Sequence, residues 1–345
     1  MAMKRVTMQD IANACGLSRN TVSKIFNGRG AVPESTKQIV LKKAQELGYY
    51  QIPEEKLARQ EQRNQNIALL TSKMPVDYHF GTFLMPAFAG QLSRAGYTLM
   101  MYELTLEELR AHRLPAHMSL EQTAGILCIE LLDREYLEML YKLGVPMISV
   151  DTYAGADTAL MQCDIITMEN IASTVALVNH LLSVGARQIG FVGDINHCNS
   201  FRERWFGFRA ALGNAGITVD RKLCIIAGDE APYSDPAWLF SQFQQMPVKP
   251  DAFVCANDYI AIQLMAALKR QGIVIPDQVM VAGFDGTQQS AVVEPSLTTV
   301  QILGTDIGHL AADMLLARIE NPDRPFLCTY VKTTPLWRDS TARRY

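Results

Sequence analysis

Residues 7–27, TMQDIANACGLSRNTVSKIFN, compress two helical patterns and a turn into a stretch that few folds accept. Thr7 is placed to cap a first helix that presents Ile11, Ala12 and Cys15 to one side. Gly16 supplies the turn, Leu17 fills it, and Ser18 caps a second helix. The outward face of that second helix carries Arg19, Asn20, Ser23, Lys24 and Asn27. Small Ala12 and apolar Val22 let the two helices cross closely. The pattern predicts a helix-turn-helix, a unit that lays its second helix in the major groove of DNA. The bland alternative is an ordinary helical pair in a bundle.

The next segment, AVPESTKQIVLKKAQELGYY, weighs against a plain bundle. Ile39, Val40, Ala44 and Leu47 recur at helical spacing and predict a third helix over Ser35–Leu47, stopped by Gly48. Three helices in some fifty residues make a small core, enough for a headpiece. Within residues 1–50 the cations are Lys4, Arg5, Arg19, Lys24, Arg29, Lys37, Lys42 and Lys43, against Asp10, Glu34 and Glu46. This segment is therefore net basic although the whole chain carries −3. Such an asymmetry suits a phosphate-binding head on a body that DNA repels. A solvated basic face is the plainer reading of the same charges.

The chain has 345 residues, 48% of them apolar, which is enough for two or three domains with sizeable cores. Beyond residue 66 strand-like runs alternate with helical patterns. The runs are 67–71, 98–102, 125–129, 146–150, 188–192, 223–227, 252–255 and 279–283. Alternation predicts an α/β fold with mostly parallel sheets covered on both faces. Eight strands divide better into two doubly wound subdomains, one starting near Ile67 and the other near Met168. Five runs end in aspartate: Asp151, Asp194, Asp229, Asp258 and Asp285. Ligands of open α/β sheets bind beyond the carboxyl ends of strands, where such carboxylates would accept hydrogen bonds from hydroxyls. Any one of them could instead cap the following helix.

Thr7–Asn27, the VPESTKQIV segment, the ELGY after it and the strand-end motifs together resemble the LacI (lactose/galactose repressor) family over nearly the whole chain. The resemblance implies an N-terminal three-helix helix-turn-helix headpiece, then two doubly wound α/β subdomains like a type I periplasmic binding protein. In those terms residues 1–52 are the headpiece and 53–66 the linker. Residues 67–165 and 299–324 form the N-subdomain, and 166–298 and 325–345 the C-subdomain. Arg204, with Gly207 and Phe208, matches the family's Arg-x-x-Gly-aromatic segment, whose arginine binds the effector. Asn257, Asp285 and Asp151 match strand-end positions that hydrogen-bond effectors in family members. Phe80 falls near the family's effector-lining loop and is the leading candidate for stacking on a sugar face. Trp205 and Trp238 are secondary candidates, more often core or surface fillers, and Tyr233 could substitute for the aromatic that several members place after the strand ending at Asp229. The implied effector is a sugar or sugar derivative. The alternatives are a purine or nucleoside and, with less support, a sugar-binding receptor without DNA function.

On the headpiece, Arg19 and Asn20 occupy the family's base-reading positions. Arginine suits guanine and asparagine suits adenine, and Lys24 lies one turn later. Thr7, Ser18, Thr21, Ser23 and Asn27 are candidate phosphate contacts that fix register. One headpiece reads too few base pairs for specificity, so a homodimer on near-palindromic double-stranded DNA is implied, paired through outer helices such as 85–94. Catalysis has little support, because no Gly-x-Ser-x-Gly elbow and no dinucleotide fingerprint occurs. Six scattered histidines and seven cysteines without a Cys-x-x-Cys pair argue against a metal site, so neither metal nor cofactor is expected. Cys128, Cys224 and Cys255 read as small core residues. The N-terminus reads as no signal peptide, and no run reaches membrane-spanning length. A reducing cytoplasm is the expected setting.

The linker departs from the family. The usual Ala-Arg-x-Leu places a leucine that opens the minor groove, but matching Ala58–Arg59 puts Glu61 at that position. A carboxylate cannot wedge base pairs apart and faces phosphates unfavourably. The sequence predicts a polar linker helix over 54–62 and an operator bent less, or not by leucine insertion. Circular-permutation gel mobility should show little position dependence, and a strong central kink would contradict this.

Overall fold

The computed structural model describes residues 6–27, 32–47, 49, 65–73 and 81–342. They form two compact units, one within Met1–Asn64 and one over Gln65–Tyr345. The expected linker, with Ala58, Arg59 and Glu61, and the aromatic candidate Phe80 lie outside the described residues.

In the first unit, helix α1 (Met8–Cys15) opens on a reciprocal cap. The Thr7 hydroxyl accepts from the Asp10 N–H, and the Asp10 carboxylate accepts from the Thr7 N–H at 2.8 Å. Gly16 ends the helix at φ 66°, a left-handed conformation that a β-carbon would strain. The Ser18 hydroxyl then accepts the Thr21 N–H at 3.1 Å and opens α2 (Arg19–Asn27). Helix α3 (Glu34–Glu46) completes the unit, and Ile11, Ala12, Val22, Val40, Ala44 and Tyr49 form its core. Two residues of the expected stripe are not in it: Ile39 is 60% exposed and Leu47 37% exposed. Val40 and Ala44, one turn apart, take the inward face, and Ile39 is rotated off it by its single-residue offset. Tyr49 joins the core beyond α3, its ring centroid 5.6 Å from that of Phe26.

The second unit begins with β1 (Asn66–Thr71), α4 (Gly81–Arg94), β2 (Thr98–Glu103), α5 (Leu106–Arg110), β3 (Thr123–Ile129), α6 (Arg134–Tyr141), β4 (Met147–Val150) and β5 (Asp164–Met168). It continues through α7 (Ile171–Ser183), β6 (Ile189–Val192), α8 (Asn199–Asn214), α9 (Pro236–Gln245), β7 (Ala252–Cys255), α10 (Asp258–Arg270), β8 (Met280–Ala282) and α11 (Gln288–Val292). The chain then returns through β9 (Thr299–Gln301), α12 (Gly304–Glu320), β10 (Cys328–Val331) and β11 (Thr334–Leu336).

A six-stranded parallel sheet, ordered β10-β5-β4-β3-β1-β2, makes the first lobe, and a three-stranded parallel sheet, β6-β7-β8, makes the second. Between them β9 and β11 pair antiparallel. One hydrophobic core runs from the α4/α12 face of the first sheet into the second lobe, and a smaller one fills the other face of the first sheet. Helices α7 and α8 pack closely because position 207 is glycine: a β-carbon there would meet the Ile171 carbonyl oxygen at 2.6 Å. Among the described residues no helix is long and apolar enough to cross a membrane.

The apolar runs locate seven strands correctly, and the eighth differs. Residues 223–227 are not a strand: a 3-10 turn over Arg221–Leu223 leads to a single bridge between Ile225 and Val192. Cys224 is accordingly half-buried there, whereas Cys128 and Cys255 are buried in strands. Strands β5, β9, β10 and β11 escaped the pattern. The subdomain boundaries shift with them, because both β5 and β10 belong to the first sheet. The first lobe therefore extends to Met168 and regains Cys328–Val331, which the sequence assigned to the C-subdomain. Residues 334–341 pack on the second lobe, where the Ser340 hydroxyl donates to the Val281 carbonyl.

β5 was illegible because it opens on a buried charge. Asp164 is fully buried, and Arg318 of α12 donates to its two oxygens at 2.9 Å each from Nε and Nη2. The Leu327 N–H adds a third donor at 2.8 Å, which sets β10 beside β5. Removing one partner of a buried pair leaves the other charge uncompensated. Arg318→Ala is expected to cost about 3–5 kcal/mol, read as a lower urea midpoint of the body.

Candidate functional site

The carboxyl ends of the parallel strands in both lobes converge at the crossovers, and a buried arginine sits among them. Arg204, on the second turn of α8, is 3% exposed. Its Nε donates to Asn170 Oδ1 at 2.9 Å and its Nη1 to the Ala256 carbonyl at 2.6 Å. Nη1 also lies 3.4 Å from Asp285 Oδ1 as an ion pair, and the guanidinium stands 3.8 Å above the Phe284 ring. The structure thus joins two of the expected site residues, Arg204 and Asp285, at one point. Asn170 and Phe284 went unnoticed in the sequence; the Gly-aromatic-Asp run was the available signal for Phe284.

Asp151 sits at the end of β4 in the first lobe, yet its carboxylate accepts the Ser200 N–H of α8 at 3.3 Å. Helix α8 has no side-chain cap of its own at Cys198, so Asp151 caps it from the opposite lobe. The Asn199 N–H donates to the Thr152 carbonyl at 2.8 Å, and Tyr153 bridges Cys198. Burial pushes the Asp151 carboxyl above its ordinary range, opposed by hydrogen bonds from Ser200, Thr152 and Cys198. Among the described residues four non-glycine residues have positive φ, and three of them, Glu130, Asp151 and Asp285, end sheet strands or follow them closely. Backbone strain of this kind gathers where side chains must be aimed.

The remaining candidates have local duties. Asn257 Oδ1 caps α10, accepting the Ile260 N–H at 2.9 Å. Asp194 accepts the Asn196 N–H at 2.8 Å, and Asp229 binds His197 Nδ1 at 2.7 Å. Burial opposes charge on His197, but Asp229, with Glu130 and Asp151 nearby, raises its pKa overall. The secondary aromatic candidates turn inward. Trp205 is buried against Phe191 and Phe208, and Tyr233 donates to the Ala227 carbonyl at 2.8 Å with Trp238 packed on its ring. None of the three forms an aromatic wall.

An open cavity of about 400 Å³ adjoins Asp285, between the start of α4 and the β8–α11 loop. Asp258 pins that loop. Its buried carboxylate accepts the Thr287 N–H at 2.8 Å, the Thr287 hydroxyl at 3.0 Å and the Thr299 hydroxyl. Among the described residues no cluster of His, Cys, Asp or Glu could hold a metal ion.

In the headpiece unit Arg19, Asn20 and Lys24 are exposed along α2. Ser18 and Thr21 hydroxyls bond each other at 2.8 Å, Thr7 is engaged with Asp10, and Ser23 is half-buried. Asn27 ends the helix, its side chain outside the described residues.

Burial raises the Asp258 carboxyl to about 6 from an ordinary 3.8, so the folded state keeps this proton longer than the unfolded chain. Its contribution to stability is complete below about pH 4 and is lost as pH rises through 6. The stability of the wild type relative to Asp258→Asn should therefore fall by roughly 2 kcal/mol between pH 4 and 7, measured by urea denaturation.

Residues 7–51 match the family described as bacterial regulatory proteins, lacI family, and residues 178–341 match the periplasmic binding protein-like domain. The transcriptional regulator GalR of Lacticaseibacillus casei is 26% identical, over 92% of this chain and 94% of its own length. A solved complex of the regulator CelR with cellobiose covers 97% of this chain and 100% of that one, at 23% identity and TM-score 0.71. The lac repressor dimer bound to operator and the anti-inducer ONPF covers 98% and 99%, at 23% identity and TM-score 0.68. With a helix-turn-helix unit first in the sequence and a two-lobed α/β body after it, the chain belongs to the LacI family of DNA-binding transcriptional regulators.

Proposed function

We propose that this protein is a repressor that binds a near-palindromic operator as a homodimer and is controlled by an uncharged sugar or sugar derivative in the cleft between its lobes. The observation that carries this reading is the buried Arg204–Asp285 pair where the strand ends meet. A guanidinium beside a carboxylate offers donors and acceptors together, which is what orients a neutral polyol. The cellobiose bound by CelR and the operator-bound lac repressor dimer support the same reading.

Each residue has a part in it. Arg204 and Asp285 bind the ligand. Asn257 keeps its oxygen for the cap and offers its amide N–H groups. Asp151 acts where the lobes touch, and its grip on Ser200 depends on how far they close. A ligand that favours one lobe arrangement changes operator affinity through its differential binding, with a coupling of about 1–3 kcal/mol. On DNA, Arg19, Asn20 and Lys24 read bases, and Thr7, Ser18, Thr21, Ser23 and Asn27 hold the phosphates.

The DNA half of this reading is tested by binding-site selection from random duplexes. The wild type should select a near-palindrome. Arg19→Ala should relax preference at one position per half-site and cost about 1–3 kcal/mol there. Equal weakening on every sequence would reduce Arg19 to a phosphate contact.

A further inference from the structure

We propose that Gln289 is a specificity-determining residue of the cleft, its buried amide oxygen kept for a hydroxyl of an uncharged polyol. This rests on the reading of the cleft as the ligand site. Among the described residues, Gln289 Oε1 is the one buried side-chain polar atom without a hydrogen-bond partner. Such an atom costs free energy unless something completes it.

Its setting shows what that partner is. Gln289 is the second residue of α11, which Thr287 caps through the Ser290 N–H, and Thr287 is itself held by Asp258. The backbone of α11 is occupied as well, with the Gln289 carbonyl accepting the Val293 N–H at 3.0 Å. Gln289 is one of the residues that line the cavity of about 400 Å³, with Asp285, Gln288, Gln301, Thr82 and Phe83. That volume is within the range of small-molecule sites. Among the described residues the cavity wall holds one charged residue, Asp285, and Arg204 already balances it. Among the described residues of that wall an anionic ligand would find no cation, whereas hydroxyl donors meet a carboxylate and amide oxygens. The geometry selects a neutral, donor-rich ligand over its phosphorylated form.

The test uses the full chain, the apolar variant Gln289→Leu, and Arg204→Met as a control for the cleft itself. Thermal melting is followed without ligand and with neutral sugars that include ribose and cellobiose. Each sugar is paired with a phosphorylated counterpart. Without ligand, Gln289→Leu should melt at or above the wild type, because it removes an unpaired acceptor. The sugar that stabilises the wild type should bind the variant at least tenfold more weakly, and its phosphate should bind the wild type at least tenfold more weakly than the sugar does. A lower ligand-free melting temperature for Gln289→Leu would mean that the oxygen has an internal partner, such as a held water, and would overturn the proposal. So would unchanged sugar affinity, or preference for the phosphate. In those cases sugar binding that is lost in an Arg204→Met protein still melting cooperatively leaves the cleft reading standing. If no sugar shifts the wild type, both fall.

Discussion

A guanidinium that is almost wholly buried has to be surrounded by acceptors, and the organisation of the body depends on how Arg204 meets that demand. Asn170 comes from the first crossover, Ala256 from the end of β7, and Asp285 from the end of β8. Each acceptor lies on a different segment, so the arginine fixes three chain passages at one point. The cation–π face of Phe284 closes the remaining side. A site built this way is preorganised: its polar groups already hold their positions before any ligand arrives.

The same helix that carries Arg204 also carries the contacts between lobes. Glu203, one residue earlier, accepts the Asn170 amide at 2.8 Å and the Tyr330 hydroxyl of β10 at 2.6 Å. Asp151 grips the first turn of that helix from the other lobe. Helix α8 is therefore held at its start and its second turn by first-lobe and crossover residues. Any rotation of the lobes must rearrange these bonds. That gives a ligand at Arg204 a short physical route to the lobe angle, through a rigid helix rather than a long chain of weak contacts.

How much of this was legible depended on how local the signal was. The helix-turn-helix is specified by capping and turn residues within a few positions, and Thr7, Gly16 and Ser18 act as their chemistry dictates. Strands buried on both faces betray themselves as apolar runs, which is why β1, β3, β4 and β6 through β8 were found; β2 is an exposed edge strand whose residues are mostly apolar all the same. β5 hides behind Asp164, whose partner Arg318 is far away in sequence, and β10 is an edge strand with alternating exposure. The pairing of Arg204 with Asp285 was reachable through family resemblance. Asn170 and Gln289 were not, because an amide acquires its role only from tertiary neighbours. The indoles were ambiguous for a similar reason: Trp205 sits beside the key arginine in sequence, and the helix turns it about 100° away, into the core against Phe191 and Phe208.

The central claim is that occupancy of the Arg204–Asp285 cleft is felt at the DNA. Fluorescence anisotropy of the full chain on its selected palindromic duplex, with and without the sugar that raises its melting temperature, tests this most directly. Coupled lobes should shift the operator dissociation constant by about five- to 150-fold. Superimposable isotherms at saturating sugar would contradict the claim, because the cleft would then bind its ligand without the headpiece responding.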